Sequence, residues 1–308
     1  MKKKLLSMAM VLAMLLAGCG QPAASPAATP APERASTSQE QTVLAGDVNL
    51  RVRIAGDADA GAVLIALHGG PGNASDYMVS LEQLASGDLA VVNYDQRGTG
   101  QSTAPDEGYS MADYIADLEA VRQAVGAEQV HLFGHSWGGV VALRYAAAHP
   151  QQVKSIILMG SGVLTPEVAQ AIQRNKAQRV AALQEQGIIP QNVSTMADLL
   201  PAYFSNPRFE MPDELKNMYY SPVVEQRTWQ SLANYDFAAG LDKLEQPVLL
   251  LWGEDDPFGS EMAEATRDAL VEAEVEFVVL QGCGHYWHEC PAAFFAQMRA
   301  FLSLPPAL

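Results

Sequence analysis

The stretch Val130-His131-Leu132-Phe133-Gly134-His135-Ser136-Trp137-Gly138-Gly139 constrains this chain more than any other. A short apolar run breaks into Gly-His-Ser-Trp-Gly and an Ala-rich helical pattern follows at once, which predicts a strand, a sharp turn and a helix with a serine at the apex. Glycines two before and two after Ser136 suit such a turn, because side chains there would collide with the strained backbone around the serine. The hydroxyl would then stand above the end of a sheet, where a nucleophile belongs. Without its context the same motif also describes a Gly-rich turn with an incidental serine.

The flanking pattern supplies that context. Strand-like runs at 42–45, 48–54, 62–67 and 89–94, with a helix at 75–85, lead through a helix at 111–125 to the serine strand at 129–133 and its helix at 137–148. A buried run follows at 153–159. After an interruption the alternation resumes with 247–252, a helix at 261–271, a strand at 275–280 and a last helix at 292–302. Strands alternating with helices of this length predict an α/β fold with a mostly parallel sheet covered on both faces. The core then comprises 42–162 and 240–308. The interruption, 163–239, reads as helices at 166–186, 196–204, 213–220 and 223–235, broken by Pro190, Pro201, Pro207, Pro212 and Pro222. Emerging at the carboxyl ends of the strands, it is expected to form a cap over the serine; a decorative helical layer is the alternative.

The first residues read as an export signal rather than as part of the fold. Lys2, Lys3 and Lys4 precede an apolar run from Leu5 to Ala17 that is too short for an ordinary membrane span. It closes on Leu16-Ala17-Gly18-Cys19, which resembles the lipobox of bacterial lipoproteins. That resemblance implies a signal over residues 1–18, a lipidated Cys19 and an extracytoplasmic protein anchored to a bacterial membrane by its lipid. The Pro/Ala/Ser/Thr/Gln-rich segment 19–41 has too little apolar surface to offset its ordering entropy and is expected to be a flexible tether. A net charge of −16 argues against nucleic acid as a partner and favours amine-bearing ligands, although solubility alone also accounts for it. With Cys19 taken by lipid, Cys283 and Cys290 remain, and outside the cytoplasm their spacing permits a disulfide across the loop that holds His285.

A serine hydroxyl needs a base within hydrogen-bond reach, and the base needs an acid to fix its tautomer. In this order of elements the partners follow as serine, acid, histidine. His285, in Gly282-Cys283-Gly284-His285 after the last strand, is the expected base, with His288 as the alternative. In Trp252-Gly253-Glu254-Asp255-Asp256-Pro257 the third residue after the glycine, Asp256, is the expected acid, with Asp255 as the alternative. His68-Gly69-Gly70-Pro71-Gly72 follows the third strand, so the backbone N–H of Gly70, or of Gly69, pairs with that of Trp137 as donors to a tetrahedral oxyanion.

Taken together, His68-Gly69-Gly70-Pro71-Gly72, Asp95-Gln96-Arg97-Gly98-Thr99-Gly100-Gln101-Ser102 and Gly134-His135-Ser136-Trp137-Gly138-Gly139 resemble the signature series of proline iminopeptidases and their relatives in the α/β-hydrolase fold. The resemblance implies a serine hydrolase that releases N-terminal residues from short peptides. It also implies that Asp95 and Arg97 organise the loop beside the oxyanion hole; a surface salt-bridged turn is the other reading. Two departures stand out. Such enzymes often show Gly-Gly-Ser-Trp-Gly-Ser where this chain has His135 and Gly139, a form shared with many esterases and C–C hydrolases. Many also carry a Trp-Glu pair on a cap helix to hold the substrate amine, whereas here Trp229 is followed by Gln230. Glu210, Glu214 and Glu225 are the substitutes considered for that carboxylate, alongside Trp229 itself. An esterase or lactonase acting on small acyl esters is therefore the competing expectation, and a surface binding protein without turnover a third. No metal or organic cofactor is implied; the expected partners are a small-molecule or short-peptide substrate and, through the lipid, a membrane.

Overall fold

The central strands of the sheet are apolar at nearly every position, as strands covered on both faces must be. In the computed structural model, which describes residues 38–57 and 60–305, eight strands form one sheet: β1 (Ser38–Ala45), β2 (Val48–Ala55), β3 (Ala62–Leu67), β4 (Leu89–Tyr94), β5 (Val130–His135), β6 (Val153–Met159), β7 (Val248–Gly253) and β8 (Val275–Leu280). Their order is β1-β2-β4-β3-β5-β6-β7-β8. The β1–β2 and β2–β4 pairs are antiparallel and all others parallel. The expected signal peptide, Cys19 and the tether up to residue 37 lie outside the described residues. Among the described residues no helix is long and apolar enough to cross a membrane.

β1 begins at Ser38, four residues before the apolar pattern suggests, so Ser38–Gln41 of the expected tether are strand. The reason is backbone pairing: the hairpin ladder runs on to Ser38 opposite Ala55, although the side chains of Gln39, Glu40 and Gln41 stay exposed. The segment Ser75–Leu84 winds as 3₁₀ helix rather than α-helix, its first residue pinned by hydrogen bonds from the Ser75 N–H and hydroxyl to the Asp95 carboxylate. The α-helices of the core are α1 (Met111–Ala124) and α2 (Trp137–Ala148). Those of the insertion are α3 (Pro166–Glu185), α4 (Met196–Leu199), α5 (Asp213–Lys216) and α6 (Pro222–Ser231), and α7 (Glu261–Ala269) and α8 (Pro291–Phe301) complete the core. Local chemistry fixes several starts. Ser110 and Asp113 form a reciprocal capping box on α1, Thr165 caps α3 ahead of Pro166, and Ser221 caps α6 ahead of Pro222.

One apolar layer packs α1, α2 and α7 on one face of the sheet, with Leu118, Val141 and Met262 buried there. The other packs the 3₁₀ helix and α8 on the opposite face, around Leu81, Phe133 and Phe294. The connection that matters for function is the crossover from β4 back past β3 to β5. It makes β3 and β5 neighbours, with Leu67 beside Gly134, so that from one point the chain leaves β3 toward β4 on one side and β5 toward β6 on the other. Crevices of this kind, at the carboxyl ends of strands where the order reverses, are where open α/β sheets place ligands.

Candidate active site

Ser136 follows β5 directly, with φ 51° and ψ −123°, a conformation that side chains rarely adopt. The flanking glycines are required by contact. A Cβ on Gly134 would lie 2.3 Å from Gly139 Cα, and one on Gly138 would lie 2.1 Å from Leu67 O. The turn is tied down by Ser136 N–H donating to Met159 O at 3.1 Å and by the Ser161 hydroxyl donating to Ser136 O. Ser136, half-buried, lines a cavity of about 290 Å³ together with Gly70, Trp137, Glu225, Trp229 and Lys176 among others.

The loops after β7 and β8 bring the two expected partners together. Asp256 and His285 are both buried, and His285 Nδ1 donates to Asp256 Oδ2 at 2.8 Å while Asp256 Oδ1 accepts from Phe258 N–H at 2.9 Å. Asp255 instead faces outward, accepting from the Ser205 hydroxyl at 2.5 Å. His288 is engaged elsewhere: its Nε2 donates to Tyr77 O at 3.0 Å, and burial lowers its pKa to about 4. The ring of His285 lies 4.8 Å from that of His135, the residue before the serine. The structure thus brings Asp256 and His285 into contact, whereas Asp255 and His288 bond elsewhere.

Of the two possible donors after β3, Gly69 is occupied, its N–H donating to Tyr77 Oη at 2.7 Å. Gly70 is the one that lines the serine's cavity. Tyr77 belongs to a chain of bonds that inspection of the sequence misses. Its hydroxyl donates to His135 Nδ1 at 2.6 Å, and His135 Nε2 donates to His285 O at 3.0 Å. Burial holds the His135 pKa well below its ordinary value, so the ring stays neutral with one donor and one acceptor, as this chain needs. One buried imidazole thereby couples the loop after β3, the serine turn and the histidine loop.

The Asp-Gln-Arg-Gly segment after β4 is likewise internal, which excludes the surface-turn reading. Asp95 accepts from Ser75 and from Gln101 N–H, and Arg97 forms a two-pronged pair with Asp117 at 2.6 and 2.7 Å. Gln96, which no sequence argument singled out, accepts from Trp137 Nε1 at 3.0 Å and donates to His68 O at 2.8 Å. It joins the residue after the serine to the loop that carries Gly70.

The insertion contributes the remaining wall. Tyr220 bridges to Asn73, Ser221 N–H donates to Gly72 O at 2.8 Å, and Trp229 packs edge-on to Trp137 at 5.5 Å between ring centroids. Of the three cap carboxylates considered, only Glu225 lines the serine's cavity, accepting from the Tyr220 hydroxyl. Glu210 and Glu214 do not reach it. After Phe204, which packs on Phe209 and Tyr286, the chain turns along the 3₁₀ helix and α8, and both residues line a separate groove with Ser80, His288 and Phe295.

Cys283 and Cys290 are joined by a disulfide, their Cα atoms 5.6 Å apart, so the bridge brackets His285. Replacing both with alanine is expected to lower the free energy of unfolding by about 2 kcal/mol, since even a short closed loop restricts the unfolded chain. Urea denaturation checks this; an unchanged midpoint would contradict it.

A family model for the alpha/beta hydrolase fold matches residues 62–289. A proline iminopeptidase of Lactobacillus delbrueckii subsp. lactis is 31% identical in an alignment of 259 positions that covers 76% of this chain and 87% of that protein. Among solved structures, a proline iminopeptidase of Mycobacterium smegmatis superposes with a TM-score of 0.65 at 23% identity, covering 86% of this chain and 98% of that one. An esterase from Exiguobacterium antarcticum gives 0.62, again at 23%, covering 86% and 99%. The two structural likenesses establish the fold alone.

Proposed function

The chain belongs to the α/β-hydrolase family, and from that premise we propose that it is a serine hydrolase of aminopeptidase type, releasing N-terminal residues from short peptides. The observation that carries the aminopeptidase reading is Glu225, a carboxylate in the same cavity as Ser136. A charge-assisted bond to a substrate α-ammonium there would fix which carbonyl meets the serine. The likeness to proline iminopeptidases supports the same reading.

In this mechanism Ser136 Oγ attacks the carbonyl carbon of the N-terminal residue while His285 Nε2 accepts the hydroxyl proton. Asp256 keeps the other imidazole proton on Nδ1 and stabilises the imidazolium that forms. The carbonyl oxygen becomes an oxyanion held by the N–H groups of Gly70 and Trp137. His285 then passes its proton to the leaving nitrogen, the C–N bond breaks, and an acyl-serine remains. Water attacks that ester with His285 again taking the proton, and Ser136 regains its hydrogen as the free amino acid departs.

A second reading, an esterase or lactonase, is favoured by one observation: the position after Trp229 is Gln230, which is exposed, and the carboxylate that takes its place already accepts from Tyr220. Aminoacyl-nitroanilides assayed beside short-chain nitrophenyl esters separate the two. The aminopeptidase reading expects nitroanilide turnover that N-acetylation abolishes, and a fall of about tenfold or more in kcat/KM when Glu225→Gln removes the charge. Ester turnover without amide turnover, indifferent to a free amine, would reject it.

We further propose that the enzyme works outside the cytoplasm on a lipid carried by Cys19, the reading of Leu16-Ala17-Gly18-Cys19. Radiolabelled palmitate fed to expressing bacteria should be incorporated by the native chain and not by Cys19→Ser. Equal labelling of both would exclude it.

A further inference from the structure

The cavity over Ser136 has one cation and one carboxylate among its lining residues, and different walls hold them. Glu225 belongs to the wall tied to the loop after β3, through the Ser221 N–H bond to Gly72 O and the bridge between Tyr220 and Asn73. Lys176, on α3, belongs to the wall beside the histidine. Its Nζ stands 5.2 Å from the ring centroid of Tyr203 and 5.5 Å from that of Phe258. Those two rings in turn lie 5.5 and 4.3 Å from the ring of His285. Among the described residues no carboxylate lies within ion-pair distance of Lys176, so its charge is held by aromatic faces.

We propose that Lys176 recognises the α-carboxylate of the leaving amino acid, which makes the site selective for free dipeptides over longer or C-terminally blocked peptides. The inference rests on the aminopeptidase reading. His285 protonates the leaving nitrogen, so the leaving group departs on the histidine side, which is the Lys176 side. In a dipeptide the carboxylate is borne by the carbon next to that nitrogen. In a longer peptide an uncharged amide takes its place. A chain of net charge −16 otherwise repels carboxylates, so a cation inside the cavity gives the discrimination its sign. With Glu225 on the other wall, the cavity offers a counter-charge to each end of a zwitterionic dipeptide, and Ser136 lines the same cavity.

The test compares X-Ala with X-Ala-amide and X-Ala-Ala, where X is the residue of the nitroanilide that the wild-type protein cleaves fastest. The expected result is a kcat/KM about tenfold higher for the free dipeptide than for its amide or the tripeptide. The acid-to-amide ratio should approach one in Lys176→Met and recover in Lys176→Arg. Nitroanilide cleavage without a preference for the acid, or an acid preference that survives in Lys176→Met, would overturn the role of Lys176 and leave the aminopeptidase reading standing. Cleavage of neither nitroanilides nor peptides would overturn both.

Discussion

Replacing Ser136 with alanine is expected to lower kcat by about six orders of magnitude while leaving the fold intact. The two halves of that expectation have separate causes. Alanine keeps the Cβ, so the backbone at φ 51° is no more strained than before, and the bonds that secure the turn use the backbone of residue 136 rather than its hydroxyl. What is lost in the proposed mechanism is the oxygen that forms the acyl intermediate, and without it neither the Asp256–His285 pair nor the proposed oxyanion donors have a covalent step to assist. Active-site kinetics together with a thermal melt separate the effects. Activity within tenfold of wild type would mean that another group is the nucleophile; a collapsed melt would mean that the hydroxyl is structural.

Asp256→Asn is expected to be the next most damaging change, lowering kcat by about four orders of magnitude. The geometry explains why so small a substitution acts so strongly. One oxygen of Asp256 already accepts from Phe258 N–H at 2.9 Å, so the amide oxygen of asparagine will keep that bond and turn its NH₂ toward His285 Nδ1. The imidazole must then accept there and carry its proton on Nε2, which is the tautomer that cannot take a proton from Ser136. Asp255→Asn should have a far smaller effect, because that side chain bonds Ser205 at the surface and has no contact with the imidazole. Equal effects at the two positions would contradict the assignment. A shared loss of stability is excluded by comparing urea midpoints.

Much of this site is readable along the chain because its parts are local. The serine turn declares itself through Gly134 and Gly138, whose missing side chains avoid contacts within a few residues or with the neighbouring strand. Two of the strands that carry the loops, β3 and β7, are continuous apolar runs, and the order of serine, acid and histidine follows from the order of the strands. Residues whose role depends on distant partners were not readable. Tyr77 and His135 are 58 positions apart, and nothing in either neighbourhood announces that they meet. Gln96 likewise gains its meaning only from Trp137 and His68. For the cap carboxylates the pattern is uninformative for another reason. Short helices separated by prolines carry no long periodicity to fix their facing, so Glu225 at the cavity and Glu210 and Glu214 outside it look alike in sequence. The edge strand begins early for a related reason, since Ser38–Gln41 join the sheet through backbone pairing and not through apolar side chains.

The central claim is that Ser136 is an activated nucleophile, and a fluorophosphonate probe reads this directly. Intact mass followed by peptide mapping should find one phosphonyl adduct on the native protein, located on Ser136, and none on Ser136→Ala treated in the same way. A wild-type protein that stays unlabelled, or an adduct that forms equally in Ser136→Ala, would contradict the account.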